Sequence, residues 1–453
     1  MTTTTTQVGL RRSLKALGTL LITLSAITPA SSVFIIAPGV IGQAGTGAFW
    51  SFVVAGLVGV LMAFVYAELS SAYPLTGGEY AIVARTVGKL PGFMVMVLML
   101  FTQVIIVAVI ALGVGIYLGA LIPGLNGPVV AAVTVLVTAV LGVFDVKLNA
   151  VVTGIFLAIE ILALLLLSGL GFLHVERPIT DLILHPVMAG PGLPAATLGV
   201  IGAATAVAIF AYNGYGSAVV LGEETRDAPR TIARAILWAL VVTVAAELIP
   251  VTAVLLGAPD LHSLFGSQNM LDDFVRTRAG NAVAIAMSLA VALAIINAVL
   301  AILLLTARLF FSSARDGVWP ASRTLQAIHP RFRTPWVATL IVGAVSAVVC
   351  FVDLHVLLVV TGTSLVAVYA SLCVATLTGR RNGTTAHSAY RMPLFPLPPL
   401  IALAALVYVT YQNLLDPAVG RPSLIVTVGV LVLAAAYYLL FLRGKWELRG
   451  PAD

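Results

Sequence analysis

The sequence predicts an all-α integral membrane protein with twelve transmembrane helices: an inverted repeat of five plus five helices, with helices 1 and 6 broken, followed by helices 11 and 12. Three observations carry this. Hydrophobic residues make up 60% of the 453 residues and charged residues 9%, far from the composition of soluble globular domains. Twelve apolar segments approach or exceed the roughly 20 residues needed to cross a bilayer core of about 30 Å. Threaded alternately, they leave 20 of the 24 Lys and Arg residues on one side.

The segments are 17–43, 47–72, 92–121, 127–144, 149–173, 196–222, 231–257, 280–312, 334–352, 355–378, 395–415 and 421–443, with the fourth and ninth short. Only Arg177, Arg276, Arg278 and Arg421 fall on the minority side, so both termini are expected in the cytoplasm of a multi-pass cell-membrane protein. Residues 1–16 are expected to be a disordered cytoplasmic terminus, 17–443 the membrane domain and 444–453 a cytoplasmic tail. Arg11, Arg12 and Lys15 before an apolar run resemble a signal peptide, but eleven further spans make it a start anchor. The net charge of +6 follows from the loop bias and implies no nucleic-acid partner. Cys350 and Cys373 fall within helices without metal or redox spacing. The six histidines lie in loops or at helix ends, so no metal or cofactor is expected.

Segments 1 and 6 are interrupted. Thr28-Pro29-Ala30-Ser31-Ser32 lies inside the first, and Phe210-Ala211-Tyr212-Asn213-Gly214-Tyr215-Gly216-Ser217 inside the sixth. In hydrocarbon an unpaired backbone group costs several kcal/mol, so a helix is broken there only where it lines a cavity or holds a ligand. Paired breaks in two halves of a membrane chain mark a transporter's substrate site. The halves would be 17–173 and 196–378, with 395–443 outside the repeat. The odd helix count gives the halves opposite orientation. No ATP-binding or nucleophile–base motif is present, so the expected function is secondary transport and not enzymatic chemistry.

Three loops carry a family resemblance. Helix 6 exits through Gly222-Glu223-Glu224-Thr225-Arg226-Asp227-Ala228-Pro229-Arg230. Between helices 2 and 3 lies Glu68-Leu69-Ser70-Ser71-Ala72-Tyr73-Pro74-Leu75-Thr76-Gly77-Gly78-Glu79-Tyr80. Helix 8 ends in Ala314-Arg315-Asp316-Gly317-Val318-Trp319-Pro320, with Thr334-Pro335 following. In this order they resemble the amino acid–polyamine–organocation (APC) permeases. That resemblance implies a LeuT-type fold and alternating-access transport of an amino acid, by proton symport or exchange. It further implies that the substrate carboxylate meets the helix 1 break, where this chain has Ala30, Ser31 and Ser32 in place of the family's glycine pair, and that Phe210 covers the substrate. Gly216 stands where some proton-sensitive exchangers carry a glutamate.

The residue chemistry agrees with those roles. A half-helix N-terminus and the Ser31 and Ser32 hydroxyls suit a carboxylate. Carbonyls freed around Gly214 suit an ammonium. The expected substrate-binding set is Ser31, Ser32, Val33, Phe210, Asn213, Gly214 and Tyr215. Glu160, halfway along helix 5, would cost roughly 2.5–3.5 kcal/mol to insert charged. That suits a carrier of protons or cations, although a structural hydrogen bond to a neighbouring helix is the alternative. Glu247 is a second intramembrane acid, beside Pro250, whose freed carbonyl it could instead bond. Glu68 reads as a residue of the cytoplasmic mouth, and Gln103 and Asn297 as interhelical hydrogen-bond partners.

Glu79, Glu223, Glu224, Arg226 and Arg315 are candidates for a cytoplasmic ion-pair gate or, alternatively, plain topology signals. Residues 291–298 of helix 8 lack the paired hydroxyls of sodium-coupled transporters, which disfavours sodium. The expected partners are therefore a small amino acid or amine, the lipid bilayer and protons. The rival readings are a polyamine or organocation permease, which several pocket acids would mark, and a non-transporting amino-acid sensor, which would bring a signalling domain.

Overall fold

The computed structural model describes residues 15–74, 77–122, 124–144, 150–221, 225–332, 334–444 and 446. Residues 1–14, most of the C-terminal tail and the candidate gate residues Glu223 and Glu224 lie outside the described residues. All twelve segments are helical. Helix 1 comprises Ala16–Ile27 and residues 29–44; helix 2 is Ala48–Ala72, helix 3 Lys89–Leu121, helix 4 Gly127–Val143 and helix 5 Ala150–Leu173. Helix 6 is Leu198–Ala211 with a 3-10 continuation over Tyr215–Leu221; helix 7 is Ala228–Gly257, helix 8 Asn281–Arg315, helix 9 Trp336–Val349 and helix 10 Leu354–Arg381. Helix 11 is Leu397–Leu415, and helix 12 is Gly420–Tyr437 with a π-turn over Tyr438–Leu442. Among the described residues nine stretches are long and apolar enough to cross a membrane. The first of them joins helices 1 and 2, and helices 4 and 9 are the short apolar pair.

Local signals start the helices where the sequence supplies a cap. Asn126, Thr197 and Asp353 accept the backbone N–H of Val129, Val200 and Val356, opening helices 4, 6 and 10. Such caps satisfy donors that the first turn leaves free. Packing then pairs the two halves: helix 2 lies on helix 7, helix 3 on helix 8 and helix 4 on helix 9. Helices 2, 3 and 4 thus each meet the helix five places later, the pairing that two related halves packed face to face would give. Lipid gives no hydrophobic drive between helices, so close contact relies on small residues. Gly171 of helix 5 and Gly257 of helix 7 show this, each leaving no room for a side chain against the other segment's backbone.

Two faces close the bundle. At one, Arg177 and Arg278 donate to the last carbonyls of helix 7, Leu255, Gly257 and Ala258, and Arg278 also pairs with Glu176. Cationic side chains there complement the helix C-terminus. At the other, basic face, Glu68 is buried and held by Arg380 through two bonds of 2.6 Å. Met392 N–H adds a third bond to that carboxylate at 2.9 Å. Glu68 is therefore an interior anchor of helix 2 on helix 10 and not a residue of an open mouth. Cys350 and Cys373 are buried and unbridged.

Candidate functional site

The break in helix 1 is built by Thr28 and Pro29. Thr28 adopts left-handed geometry (φ 49°, ψ 69°), which costs a non-glycine residue roughly 1–2 kcal/mol. Pro29 has no N–H to continue the ladder and opens the next helical piece at its first position. Glu160 of helix 5 accepts the Ala30 N–H at 3.3 Å. An acid in the middle of helix 5 thus satisfies one of the amides exposed by the break. Beyond Ser31 the chain winds as a π-turn over Ser32–Ile36 before regular helix resumes, a distortion frequent at functional sites.

Helix 6 breaks at Tyr212, Asn213 and Gly214. Gly214 has φ +120°, and a Cβ there would lie 2.8 Å from Ile27 Cγ1, at the end of the first piece of helix 1. Both constraints select glycine. Gly216 packs against the Tyr66 ring, where a Cβ would sit 2.7 Å away. That contact leaves no space for a longer side chain. The breaks are tied together by Ser32, whose hydroxyl donates to Ala211 O at 2.9 Å.

Between them lies a cavity of about 70 Å³, walled by helices 1, 3, 6 and 8. Ile27, Ile36, Ile106, Ile110, Ile302, Leu305 and Phe210 give it an apolar surface, and Thr28, Ser32, Gln103, Asn213 and Ser217 add uncharged polar groups. Ligand pockets ordinarily span roughly 300–1,000 Å³, so the walls must part to admit a substrate.

Of the predicted binding residues, Ser32, Phe210, Asn213 and Gly214 border this cavity. Ser31 and Val33 are buried on helix 1 without bordering it, and Ser31 Oγ has no hydrogen-bond partner. Tyr215 instead joins a tyrosine cluster towards the basic face, with ring centroids 5.7 Å from Tyr66 and 6.4 Å from Tyr369. Tyr369 donates to Asn213 Oδ1 at 3.3 Å, and Tyr66 to Glu79 Oε1 at 3.1 Å. A layer of phenols therefore stands between the cavity and Glu79. Burial raises the Glu79 carboxyl from its ordinary range. Arg315, the last residue of helix 8, is exposed.

Sequence reasoning did not name Ile27, Thr28, Ile36, Ile106, Ile110, Ala211, Ser217, Ile302 and Leu305 among the binding residues, and it placed Gln103 at a helix interface. Nothing in an apolar run distinguishes a cavity-facing isoleucine from a lipid-facing one. Gln103 and Ser217, as polar groups in such runs, were the available signal.

Two broken helices enclosing a small cavity inside an all-helical membrane bundle define a secondary transporter. The chain belongs to the amino acid permease family, whose model matches residues 14–446. It is similar to the methylthioribose transporter of Bacillus subtilis, with 28% identity over 88% of this chain and 87% of that one. It is also similar to the branched-chain amino acid permease BcaP of the same organism, with 25% identity over 87% and 86%. The human large neutral amino acids transporter small subunit 2 is 30% identical over 67% of this chain and 58% of its own. These are transporters, and the chain is an amino acid transporter.

Proposed function

We propose that this permease moves a neutral amino acid with an apolar side chain across the cell membrane, by alternating access and with proton coupling. Both termini lie in the cytoplasm on this reading, which puts the basic face inside. The observation that carries the proposal is the cavity: its side chains are apolar or uncharged, and it lies between two backbone breaks. Backbone amides of helix 1 and carbonyls of helix 6 suit the two charges of a zwitterion, leaving isoleucines for the side chain. A polyamine would need carboxylates in the lining, and among the described residues the lining has none. The relatives named for branched-chain and large neutral amino acids favour the same class.

Glu160 is the proposed proton handler. Its carboxylate holds the Ala30 N–H, a group that a substrate carboxylate would also seek. A proton on Glu160 weakens that hold and frees the amide, so proton and substrate load together. On the inner side, Glu79 beneath the tyrosine layer, with Arg226 and Arg315, forms the proposed gate; Glu223 and Glu224, expected in it from the sequence, lie outside the described residues. The buried Glu68–Arg380 pair keeps helix 2 docked on helix 10. Counterflow of radiolabelled leucine into proteoliposomes tests the substrate class, with putrescine and methylthioribose as competitors. Competition by isoleucine and valine alone is expected; competition by putrescine would reverse the assignment.

A further inference from the structure

Glu247 is the acid that the proposed mechanism leaves unused. It lies within helix 7, fully buried, and neither carboxyl oxygen has a hydrogen-bond partner. The carbonyl freed by Pro250 does not receive it. Its carboxyl sits beside the Ser32 hydroxyl and near Tyr212, whose own hydroxyl is buried and unpartnered. Ser32 borders the substrate cavity on its other side and donates to Ala211 O. Two acids therefore flank one break: Glu160 reaches residue 30 from helix 5, and Glu247 approaches residue 32 from helix 7.

We propose that Glu247 is a second proton-binding site of the transporter, read by the substrate through Ser32. The proposal rests on the neutral amino acid reading. A buried carboxylate without donors is strongly disfavoured, whereas the neutral acid carries its own donor. Once protonated, Glu247 can turn its O–H towards the neighbouring Ser32 Oγ, which gives its own hydrogen to Ala211 O, and so link helix 7 to the cavity wall. A substrate carboxylate at residues 30–32 then faces two acids, and like charges so close cannot all persist. Substrate and proton are thereby held together, until opening of the bundle lets water reach helix 7 and the proton leave.

The titratable groups on the elements packed against helix 7 are few. Tyr212 faces Glu247 from helix 6, and Tyr215 lies further along the same helix. Glu160 is on helix 5, Tyr66 and Glu68 are near the basic end of helix 2, and Asp181 is on the short helix Ile179–Leu184. Helix 1 contributes none along its described length. Among the described residues no cation pairs with Glu247.

The test uses the full-length protein in proteoliposomes, with leucine flux and internal pH recorded together. Wild type should move protons with leucine. Glu247→Gln should lower the protons moved per leucine while leucine–leucine exchange continues. The infrared band of a protonated buried carboxyl should be present in wild type and in Glu160→Gln and be lost in Glu247→Gln. Ser32→Ala should keep that band but weaken the coupling of proton to leucine flux. An unchanged ratio in Glu247→Gln, leucine flux without protons in wild type, or an infrared band indifferent to residue 247 would overturn the proposal. Absence of leucine counterflow in wild type, with the Glu247-dependent band intact, would instead refute the substrate class.

Discussion

The Glu160 carboxylate accepts the Ala30 N–H across 3.3 Å, joining the middle of helix 5 to the amide that the Thr28–Pro29 break exposes. A costly intramembrane acid and a costly open backbone thus offset one another. The same bond makes the break sensitive to the proton on Glu160, since a neutral carboxyl is a weaker acceptor than a carboxylate.

Replacing Glu160 separates its two roles. Glu160→Ala leaves the Ala30 amide without its acceptor and should cost about 1–3 kcal/mol of stability, read as a lowered unfolding temperature in detergent. Glu160→Gln retains an acceptor oxygen and should unfold near wild type, yet flatten the pH dependence of leucine counterflow. A pH profile identical to wild type in Glu160→Gln would remove it from coupling.

The buried pair at the basic face should behave as a unit. Arg380→Ala removes the nearest countercharge of the buried Glu68 carboxylate, leaving it undercompensated with Arg391 at 3.8 Å, and is expected to cost about 3 kcal/mol, the low end for breaking a buried pair. Glu68→Gln combined with Arg380→Ala should recover part of this, because the uncompensated charge is gone. Unfolding temperatures of the two single variants and the double variant check the coupling.

Gly214 is expected to resist substitution. Gly214→Ala forces a side chain into φ +120° and against Ile27, at a cost of roughly 1–2 kcal/mol from the backbone alone. Because the strain falls on the contact between the two breaks, counterflow should fall more steeply than the amount of folded protein recovered.

A great deal of this was legible in the sequence, for a physical reason. Breaking a helix in hydrocarbon is so unfavourable that Pro29 and Gly214 stand out against their surroundings, as does the carboxyl of Glu160. The pairings were less visible. Glu68 and Arg380 meet across 312 residues of sequence, and Ser32 meets Ala211 across 179. Membrane segments also lose the inside-out contrast of soluble helices: Ile106 on the cavity and Leu162 on the lipid-facing surface are equally apolar. Tyr215 was placed on the substrate because the break contains it, whereas the 3-10 turn rotates it into the tyrosine cluster.

Acid should loosen the face opposite the basic one. The Arg278 guanidinium beside Glu176 lowers that carboxyl below its ordinary range, and the N–H groups of Ser263 and His262 do the same for Asp260. A lowered folded value means that this stabilisation is present above the unfolded values, roughly 4 for both acids, and is lost as pH falls through the folded ones. The unfolding temperature should therefore drop below about pH 4, and Glu176→Gln should reduce the size of that drop.

The most direct measurement places a thiol in the cavity wall. Ser217 borders the cavity, while native Cys350 and Cys373 are buried. Ser217→Cys in proteoliposomes should react with a small membrane-permeant thiol reagent, and leucine should slow that reaction while putrescine does not. Labelling unaffected by leucine, in a variant that still transports leucine, would contradict the placement of the substrate between the two breaks.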